Sequence, residues 1–303
     1  MSARHFGMPV PEPLDKQRTR RQFARAAASY DASASVSREV CSRLLERLDL
    51  VRMTPARILD LGSGTGVAAG ALAQRYPKAR VLALDSCLPM LRQRRCTRSG
   101  SERLRAMVMG KSIHDLCAEF ERLPVRTGSV DLAASNLALH WSTAPEAALR
   151  EAHRVLRRGG LLLFSTLGPD TLQEMAHAAA DAGGRTPVHT FTDMHDLGDL
   201  LLHTGFADPV MEMERLFVTY ARLQDLLQDL RSSGALSAKA GSPGLRTPRW
   251  RDRLFRRYEE LRRDGRLPVT LEIIYGHAWK PEQGPRVTAD GHAVVHVELP
   301  RRR

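Results

Sequence analysis

Asp60-Leu61-Gly62-Ser63-Gly64-Thr65-Gly66 is the stretch that decides the fold. It ends a short apolar run, residues 57–61, that is typical of a buried strand, and it precedes a helical pattern over residues 67–76. Glycine at every second position lets the chain turn sharply, and it lets backbone N–H groups approach a ligand that a side chain would block. The stretch therefore predicts a ligand-binding turn between the first strand and the first helix of a parallel βαβ unit.

A second apolar run, residues 80–85, ends in Asp85, where a pair of ribose hydroxyls needs a carboxylate acceptor. The spacing Gly-x-Gly-x-Gly differs from the Gly-x-Gly-x-x-Gly of dinucleotide-binding proteins, and Asp60 would repel a pyrophosphate. A carboxylate there suits a cationic ligand, such as the ammonium group of a sulfonium amino acid. A glycine turn that serves packing alone is the alternative.

Strands and helices alternate along the rest of the chain. Further strands are predicted over residues 113–117, 130–135, 161–166, 210–220 and 269–279, and helices over residues 89–98, 145–156, 170–182, 193–204, 223–232 and 249–263. This order predicts an α/β fold with a doubly wound, Rossmann-like sheet of seven strands. We expect a disordered basic leader (1–20), a helical N-terminal cap (21–50), a main domain (51–280) with a helical insertion at about 221–265, and a tail (281–303).

The chain has 303 residues and a formal net charge of +12, so its surface attracts anions: nucleic acid, an anionic membrane face or an acidic protein. A basic surface that is simply solvated is equally compatible. Aromatic residues make up 5% and there is no known RNA-binding motif, which speaks against a nucleic-acid platform. The apolar runs are too short to cross a bilayer, and the start has no secretory signal, so we expect a cytoplasmic protein.

Four cysteines (Cys41, Cys87, Cys96 and Cys117) and eleven histidines are scattered without the spacing of a zinc or redox motif. The sequence therefore predicts reduced thiols and no metal site.

Several stretches outside the glycine turn carry a family pattern. They are Phe23-Ala24-Arg25-Ala26-Ala27-Ala28-Ser29-Tyr30, Glu121-Arg122-Leu123-Pro124, Ser135-Asn136-Leu137-Ala138-Leu139-His140-Trp141, residues 193–199 and residues 275–279. With the turn, they resemble the class I S-adenosylmethionine-dependent methyltransferases, and among these the malonyl-acyl-carrier-protein O-methyltransferases of biotin synthesis. The resemblance covers nearly the whole chain. It implies methyl transfer from S-adenosylmethionine to the free carboxylate of a malonyl thioester on acyl carrier protein or CoA, giving the methyl ester that primes pimeloyl synthesis.

The same resemblance assigns the residues that bind the methyl donor. It implies that the turn holds the methionine part, that Asp85 binds the ribose hydroxyls, that an acid before Leu-Pro binds the adenine amino group and that Met90 packs on the adenine or ribose face. Asn136 follows the fourth strand, at the sheet edge where open α/β folds bind ligands. The predicted cofactor-binding residues are Asp60, Gly62, Ser63, Gly64, Gly66, Asp85, Met90, Glu119 and Asn136. Asp115 and Glu121 are alternatives to Glu119 for the adenine contact. Simple packing in the core is the alternative for Met90.

Three residues are predicted to act on the methyl acceptor. Tyr30 would close over the cofactor, His140 beside Trp141 would line the transfer pocket, and Arg154 would hold the malonyl carboxylate, with Arg215 and Arg231 as alternatives to Arg154. Packed aromatic side chains and solvated arginines are the competing interpretations. A carboxylate is ionised at neutral pH, so its methylation needs no general base.

An acidic acyl carrier protein would dock on a basic face, and we expect a monomer without a stable nucleic-acid or membrane partner. The predicted face is Arg246, Arg249, Arg251, Arg253, Arg256 and Arg257. The chain is also similar to the methyltransferase-like assembly factors of respiratory complex I, which share Leu-His-Trp and Asp-Leu-Gly and can act on protein side chains. An RNA or small-molecule methyltransferase is a further alternative. The fuller N-terminal match favours the biotin enzyme.

Overall fold

The computed structural model describes residues 14–96, 113–183, 190–232 and 248–282. Most of the predicted leader, the polar stretch after residue 97, most of the linker before residue 248 and nearly all of the tail therefore lie outside the described residues, as does Arg246. Within the described ranges, no helix combines the length and the apolar character that a bilayer span needs.

Seven strands form one sheet in the order β3-β2-β1-β4-β5-β7-β6, which confirms the predicted fold class. The strands β1 to β5 pair in parallel, and β7 runs antiparallel between β5 and β6. Their bounds are β1 (Arg57–Leu61), β2 (Arg80–Asp85), β3 (Ile113–Cys117), β4 (Val130–Asn136), β5 (Leu156–Leu167), β6 (Ala207–Tyr220) and β7 (Leu267–Trp279).

Helices cover both faces of the sheet, and this explains why the central strands are apolar at successive positions. One face of the sheet packs on the helix that comes just before β1 in the sequence and on the helix that comes just after it. The other face packs on the helices that precede β5 and β6. The helices are α1 (Lys16–Ala26), α2 (Tyr30–Ser33), α3 (Ser35–Glu46), α4 (Val67–Arg75), α5 (Leu88–Cys96), α6 (Pro145–Val155), α7 (Gln173–Asp181), α8 (Met194–His203), α9 (Leu223–Ser232) and α10 (Pro248–Glu259). Short 3₁₀ turns span Arg47–Leu50 and Leu139–Trp141.

Two predicted boundaries are wrong. Helix α1 begins at Lys16, inside the predicted disordered leader, because the Asp15 side chain caps it by accepting a hydrogen bond from the Arg18 N–H at 2.9 Å. Strand β5 begins at Leu156 rather than at Leu161, because residues 157–160 form a bulge within the strand and do not end its pairing with β4.

The carboxyl edge of the parallel strands is enclosed from two sides. On one side, α1 contacts α5 and α9, and α3 contacts α4, β4 and β5. On the other, α9 and α10 pack with α7 and with the ends of β6 and β7 through side chains such as Leu226, Leu254 and Tyr258. The N-terminal cap and the insertion before β7 thus meet above the sheet edge where α/β folds bind ligands.

Candidate active site

A cavity of about 320 Å³ lies at this sheet edge, between the cap and the insertion. One half is lined by the glycine turn and by residues that follow β2, β3 and β4. The other half is lined mainly by apolar side chains of α9, β6, β7 and the segment that precedes α7. The predicted residues among the lining are Tyr30, Asp60, Gly62, Ser63, Gly64, Asp85, Met90, Glu119, Asn136 and His140.

The glycine turn has a backbone that few side chains tolerate. Gly62, Gly64 and Gly66 have φ angles of 71°, 55° and 87°, all in the left-handed region. A Cβ atom at Gly62 would overlap Ala138 Cβ and lie 3.2 Å from Phe120 Cζ. The turn therefore needs glycine there both for its conformation and for the close approach of neighbouring side chains. Gly66 lies at the end of the turn, where it caps α4 outside the cavity lining.

Asp60 is the polar residue of an otherwise apolar, buried strand end, with 1% of its surface exposed. Among the described residues, neither carboxylate oxygen finds a hydrogen bond of normal geometry. Burial raises the pKa of Asp60 to about 6, helped by the Asp85 charge and partly offset by Ser63, the Ala69 N–H and Arg94. Since a buried, unpaired carboxylate is unfavourable, these orphaned oxygens fit a cationic ligand such as the ammonium group of a sulfonium amino acid.

Asp85 lies opposite the turn and is held by two backbone donors. Its Oδ2 atom accepts from the Gly64 N–H at 2.8 Å, and its Oδ1 atom accepts from the Cys87 N–H at 2.7 Å. Burial raises its pKa despite these bonds. Each carboxylate oxygen can accept a further hydrogen bond, so the oriented group suits a pair of ribose hydroxyls. Met90 is buried beside the turn and lines the same half of the cavity.

Of the three acids considered for the adenine amino group, Glu119 alone lines the cavity. Its carboxylate pairs with Lys16 at 3.2 Å and with Arg20 at 3.1 Å, both on α1. Asp115 is instead bound by two arginines of α5, and Glu121 by Lys16 at 2.7 Å and the Ser142 hydroxyl at 2.7 Å. The geometry therefore leaves Glu119 as the acid that can reach a ligand, while the other two support the surrounding structure.

Aromatic side chains in mutual contact form one wall of the cavity. His140 lies 5.0 Å from Trp141 and 5.6 Å from Phe191, measured between ring centroids. Phe23 on α1 packs edge-on against Trp141 at 5.3 Å and lies 6.3 Å from Tyr30. Edge-on ring packing fixes these side chains relative to one another. The wall thus joins the cap to the loop after β4.

Tyr30 is oriented by a chain of hydrogen bonds that begins at β5. Ser165 donates to Asn136 Oδ1 at 2.9 Å, and Asn136 Nδ2 donates to Ser37 Oγ at 3.2 Å. Because Asn136 occupies a lone pair of Ser37, the Ser37 hydrogen is left for the Tyr30 hydroxyl. That bond lowers the pKa of Tyr30, but burial raises it more, so Tyr30 stays a protonated donor at neutral pH. Asn136 therefore lies in the cavity wall with its amide already engaged.

The structure corrects the prediction for Arg154, which does not line the cavity. Its guanidinium pairs with Glu151 at 2.7 Å and donates to the carbonyls of Leu123 and Val125, both at 2.9 Å. Arg154 therefore ties α6 to the loop before β4 rather than holding a substrate. The alternative Arg215 pairs with Asp170 at 2.6 Å and is also absent from the lining, and the side chain of Arg231 lies outside the described part.

Several lining residues were missed by the sequence reasoning. Lys16, Arg20 and Phe23 have the i, i+4, i+7 spacing of one helix face. The predicted boundary at residue 20 obscured this signal, because it placed Lys16 and Arg20 in the leader and Phe23 in the cap. Phe120 follows Glu119 directly and so shares its approach to the turn. Phe191 carries no local signal, because it reaches the cavity from a loop distant in sequence.

The burial of Asp60 makes a prediction about stability. A carboxyl whose pKa rises from 3.8 to about 6 on folding costs the folded state about 3 kcal/mol at neutral pH, a cost that vanishes below the unfolded value. We therefore expect Asp60→Asn to be more stable than the wild type at pH 7, by up to that amount. The difference should shrink as the pH falls through 6 towards 4, as measured by urea unfolding of the ligand-free protein.

Asp49→Asn is the matched control, because Asp49 is exposed and pairs with Arg75 at the surface. We expect this variant to change the unfolding free energy by less than about 1 kcal/mol at either pH. A loss of stability in Asp60→Asn at pH 7, or a gain that does not depend on pH, would contradict the assigned state of Asp60.

Comparison with known proteins places this site in a family. Residues 59–164 match the model of a methyltransferase domain. A malonyl-[acyl-carrier protein] O-methyltransferase from Laribacter hongkongensis is 49% identical over 91% of this chain and 93% of its own length. One of the same name from Gallionella capsiferriformans is 47% identical over 94% and 97% of the two chains.

Solved structures share the fold at low identity. The YcgJ protein from Bacillus subtilis aligns with a TM-score of 0.55 at 15% identity, covering 79% of this chain and 98% of its own. The [4+2]-cyclase SpnF aligns with a TM-score of 0.50 at 20% identity, covering 80% and 81%. These two show the architecture alone, whereas the identity over nearly the full length of both curated relatives shows that the chain belongs to the malonyl-[acyl-carrier protein] O-methyltransferase family.

Proposed function

We propose that this protein transfers the methyl group of S-adenosylmethionine to the free carboxylate of a malonyl thioester, on acyl carrier protein or CoA, and so forms the methyl ester that primes pimeloyl synthesis for biotin. The observation that supports this proposal most directly is the 49% identity, over 91% of the chain, to a malonyl-[acyl-carrier protein] O-methyltransferase. The relatives do not favour a complex I assembly factor or an RNA or small-molecule methyltransferase. A cytoplasmic location and a monomeric state stay predictions.

The polar half of the cavity supports binding of the methyl donor. We assign the ammonium group to Asp60, the ribose hydroxyls to Asp85 and the adenine amino group to Glu119, with Met90 packed beside the nucleoside. When bound, S-adenosylmethionine supplies an electrophilic methyl group on a sulfonium. The chain itself binds and orients the two reactants, because an ionised carboxylate already is the nucleophile.

The acceptor carboxylate must approach the sulfonium methyl in line with the leaving sulfur, at about 3 Å, and must lose its water. The cations of the described lining, Lys16 and Arg20, are engaged with Glu119. We assign the carboxylate to hydrogen-bond donors instead: Tyr30 as the oriented phenol, and His140, which lines the same cavity, as a second donor. Neutral donors orient the carboxylate oxygen, but they neutralise its negative charge less than a buried guanidinium would.

The apolar half of the cavity supports exclusion of water during the transfer. It is lined by Leu172, Phe191, Val218, Leu226, Leu230 and Val269, which come from both the main sheet and the insertion. Its polar groups are engaged with protein partners: the Tyr220 hydroxyl donates to Asp229 at 3.0 Å, and the Thr171 hydroxyl donates to the Glu272 carbonyl at 3.1 Å. We assign this half to the arm of the thioester.

Helix α10 supports docking of an acidic carrier protein. Leu254 and Tyr258 on its inner face pack in the same apolar cluster as the cavity-lining residues of α9. Its outer face carries the exposed arginines of the predicted basic face. Arg257 pairs with Glu260 at 3.0 Å and Arg251 approaches Asp252 at 4.0 Å. Among the residues that the structure describes, Arg249, Arg253 and Arg256 have no ion pair. These three exposed arginines offer positive charge close to the thioester half of the cavity.

The proposed reaction is tested with labelled S-adenosylmethionine and either malonyl-acyl carrier protein or malonyl-CoA. We expect label in an alkali-labile methyl ester on the malonyl group. Acetyl-acyl carrier protein is the matched control, since it lacks the free carboxylate. Label on neither malonyl thioester, or equal label on the acetyl control, would disprove the proposed acceptor.

Tyr30→Phe removes the oriented donor and leaves the ring. We expect kcat to fall roughly 10- to 100-fold, as for other single donors in a water-excluded site. Affinity for the methyl donor, measured by calorimetry, should stay within about threefold. Ser37→Ala keeps the phenol but removes its orienting partner, so its loss of kcat should be smaller. A Tyr30→Phe enzyme with more than half of the wild-type kcat would exclude the assigned role.

Charge reversal tests the docking surface. We expect the triple variant Arg249→Glu, Arg253→Glu and Arg256→Glu to raise the KM for malonyl-acyl carrier protein by roughly tenfold at low salt, because it replaces attraction by repulsion. The increase should shrink with added salt. The KM for malonyl-N-acetylcysteamine, a small thioester, should stay within about twofold.

The matched control reverses Arg52, Arg80 and Arg126, which are exposed near the amino ends of the strands, opposite the cavity. This second triple variant changes the net charge equally, so it separates a local contact from a general field. Equal KM increases in the two triple variants, or equal increases on both substrates, would argue against docking on α10.

A further inference from the structure

Asp229 places a carboxylate in the apolar half of the cavity, where the other lining residues of its helix are leucines. It lies on α9 between Leu226 and Leu230, and all three side chains line the cavity. The two leucines have 1% and 7% of their surface exposed, and Asp229 is partly buried. The inner face of a helix seldom carries an acid, because a charge there loses solvation. The carboxylate is therefore favourable in this position only with hydrogen-bond donors around it.

The Tyr220 hydroxyl is one such donor. It donates to Asp229 Oδ2 at 3.0 Å from the end of β6, and Tyr220 lines the cavity too. Burial and the Asp229 charge raise the pKa of Tyr220, so the phenol stays protonated and keeps donating at neutral pH. A carboxylate has about four acceptor positions, and the phenol occupies one of them. Asp229 can thus accept an N–H group of a ligand while Tyr220 keeps the carboxylate oriented.

The position of Asp229 relative to Tyr30 fits the length of a thioester arm. Helix α9 contacts α1 and α2, and Tyr30, which we assign to the acceptor carboxylate, begins α2. The axes of packed helices lie about 8–10 Å apart. In a malonyl thioester, six bonds separate the carboxylate carbon from the first amide nitrogen of the arm, which is roughly 8 Å in the extended form. A malonyl group held at Tyr30 therefore has an arm of the right length for its first amide N–H to reach α9.

We propose that Asp229 recognises the arm of the acceptor thioester: its carboxylate, oriented by Tyr220, accepts a hydrogen bond from the amide N–H nearest the sulfur. The proposal rests on the proposed function, because it concerns how a malonyl thioester is held. Acyl carrier protein and CoA both present the thioester on an arm with this amide, so the contact is common to both. It fixes how far the arm enters the cavity and so aligns the malonyl carboxylate with the donor half.

The test compares two small malonyl thioesters that differ in one group. The first is malonyl-N-acetylcysteamine, and in the second a methylene replaces the amide N–H. In the wild type we expect kcat/KM, measured by transfer of labelled methyl, to be roughly tenfold higher for the amide, since hydrogen bonds to a charged acceptor are strong. In Asp229→Ala the values for the two thioesters should lie within about twofold of each other, because the variant loses rate mainly on the amide.

Asp225→Ala is the matched control, because Asp225 lies one turn earlier on α9, pairs with Arg222 at 2.7 Å and is absent from the cavity lining. We expect it to keep the roughly tenfold preference of the wild type. A purely structural role of Asp229 would lower kcat/KM equally for both thioesters and keep their ratio. An unchanged ratio in Asp229→Ala, or a wild type without preference for the amide, overturns the proposal.

Asp229→Asn covers the case in which Asp229→Ala does not fold. It keeps the shape and one acceptor oxygen but loses the charge, so we expect its preference for the amide to fall to roughly threefold. A folded Asp229→Asn with the full wild-type preference also overturns the proposal. If no malonyl thioester is methylated, malonyl-acyl carrier protein included, the proposed function fails and the Asp229 assignment fails with it. Methylation of both small thioesters at equal kcat/KM overturns the Asp229 assignment alone.

Discussion

The site depends on one constraint, which is the burial of the Asp60 carboxylate in the core of the fold. Asp60 lies at the end of a strand whose other buried positions are apolar, and within the described residues its oxygens have no hydrogen bond of normal geometry. Folding therefore leaves a charge in an environment that disfavours it. Its neighbours offset only part of the cost, so a cation that enters the cavity gains more there than it would at an exposed carboxylate. The same burial that weakens the ligand-free protein thus provides selectivity for a cationic ligand.

The cap makes this arrangement a closed site. The Thr65 hydroxyl in the turn donates to Asp31 of α2 at 2.6 Å, and Glu119, beyond β3, pairs with Lys16 and Arg20 of α1. The N-terminal helices are therefore tied to the same elements that would hold a ligand, and exclusion of water follows from their position. Because exposed ion pairs contribute little, the cap rests mainly on its apolar and aromatic contacts, and the ion pairs fix its register.

The sequence predicts the parts of the site that follow from local geometry. Parallel strands end at one edge, so the acids at the tips of β1 and β2, Asp60 and Asp85, had to lie together whatever the rest of the chain did. The choice among three acids near β3 was not predictable, because it depends on which of them pairs with arginines or lysines from distant helices. The prediction that Arg154 holds the substrate was wrong for a related reason. Its position in the sequence is compatible with either side of α6, and only tertiary packing shows that it binds backbone carbonyls.

The glycine turn and the Asp60 charge are stabilised by different interactions, and this explains why one fold can hold both an unfavourable buried charge and a well-defined turn. The turn is fixed by glycine conformation and by side chains packed behind it, which do not require a ligand. The charge of Asp60 is compensated fully only when a cation binds. The free energy of that interaction contributes to affinity in full, because the turn is already ordered before binding. A site that is already shaped but electrostatically incomplete binds its ligand without a large entropic cost. It also gains stability from occupancy, because a ligand that binds the folded state alone shifts the folding equilibrium towards it.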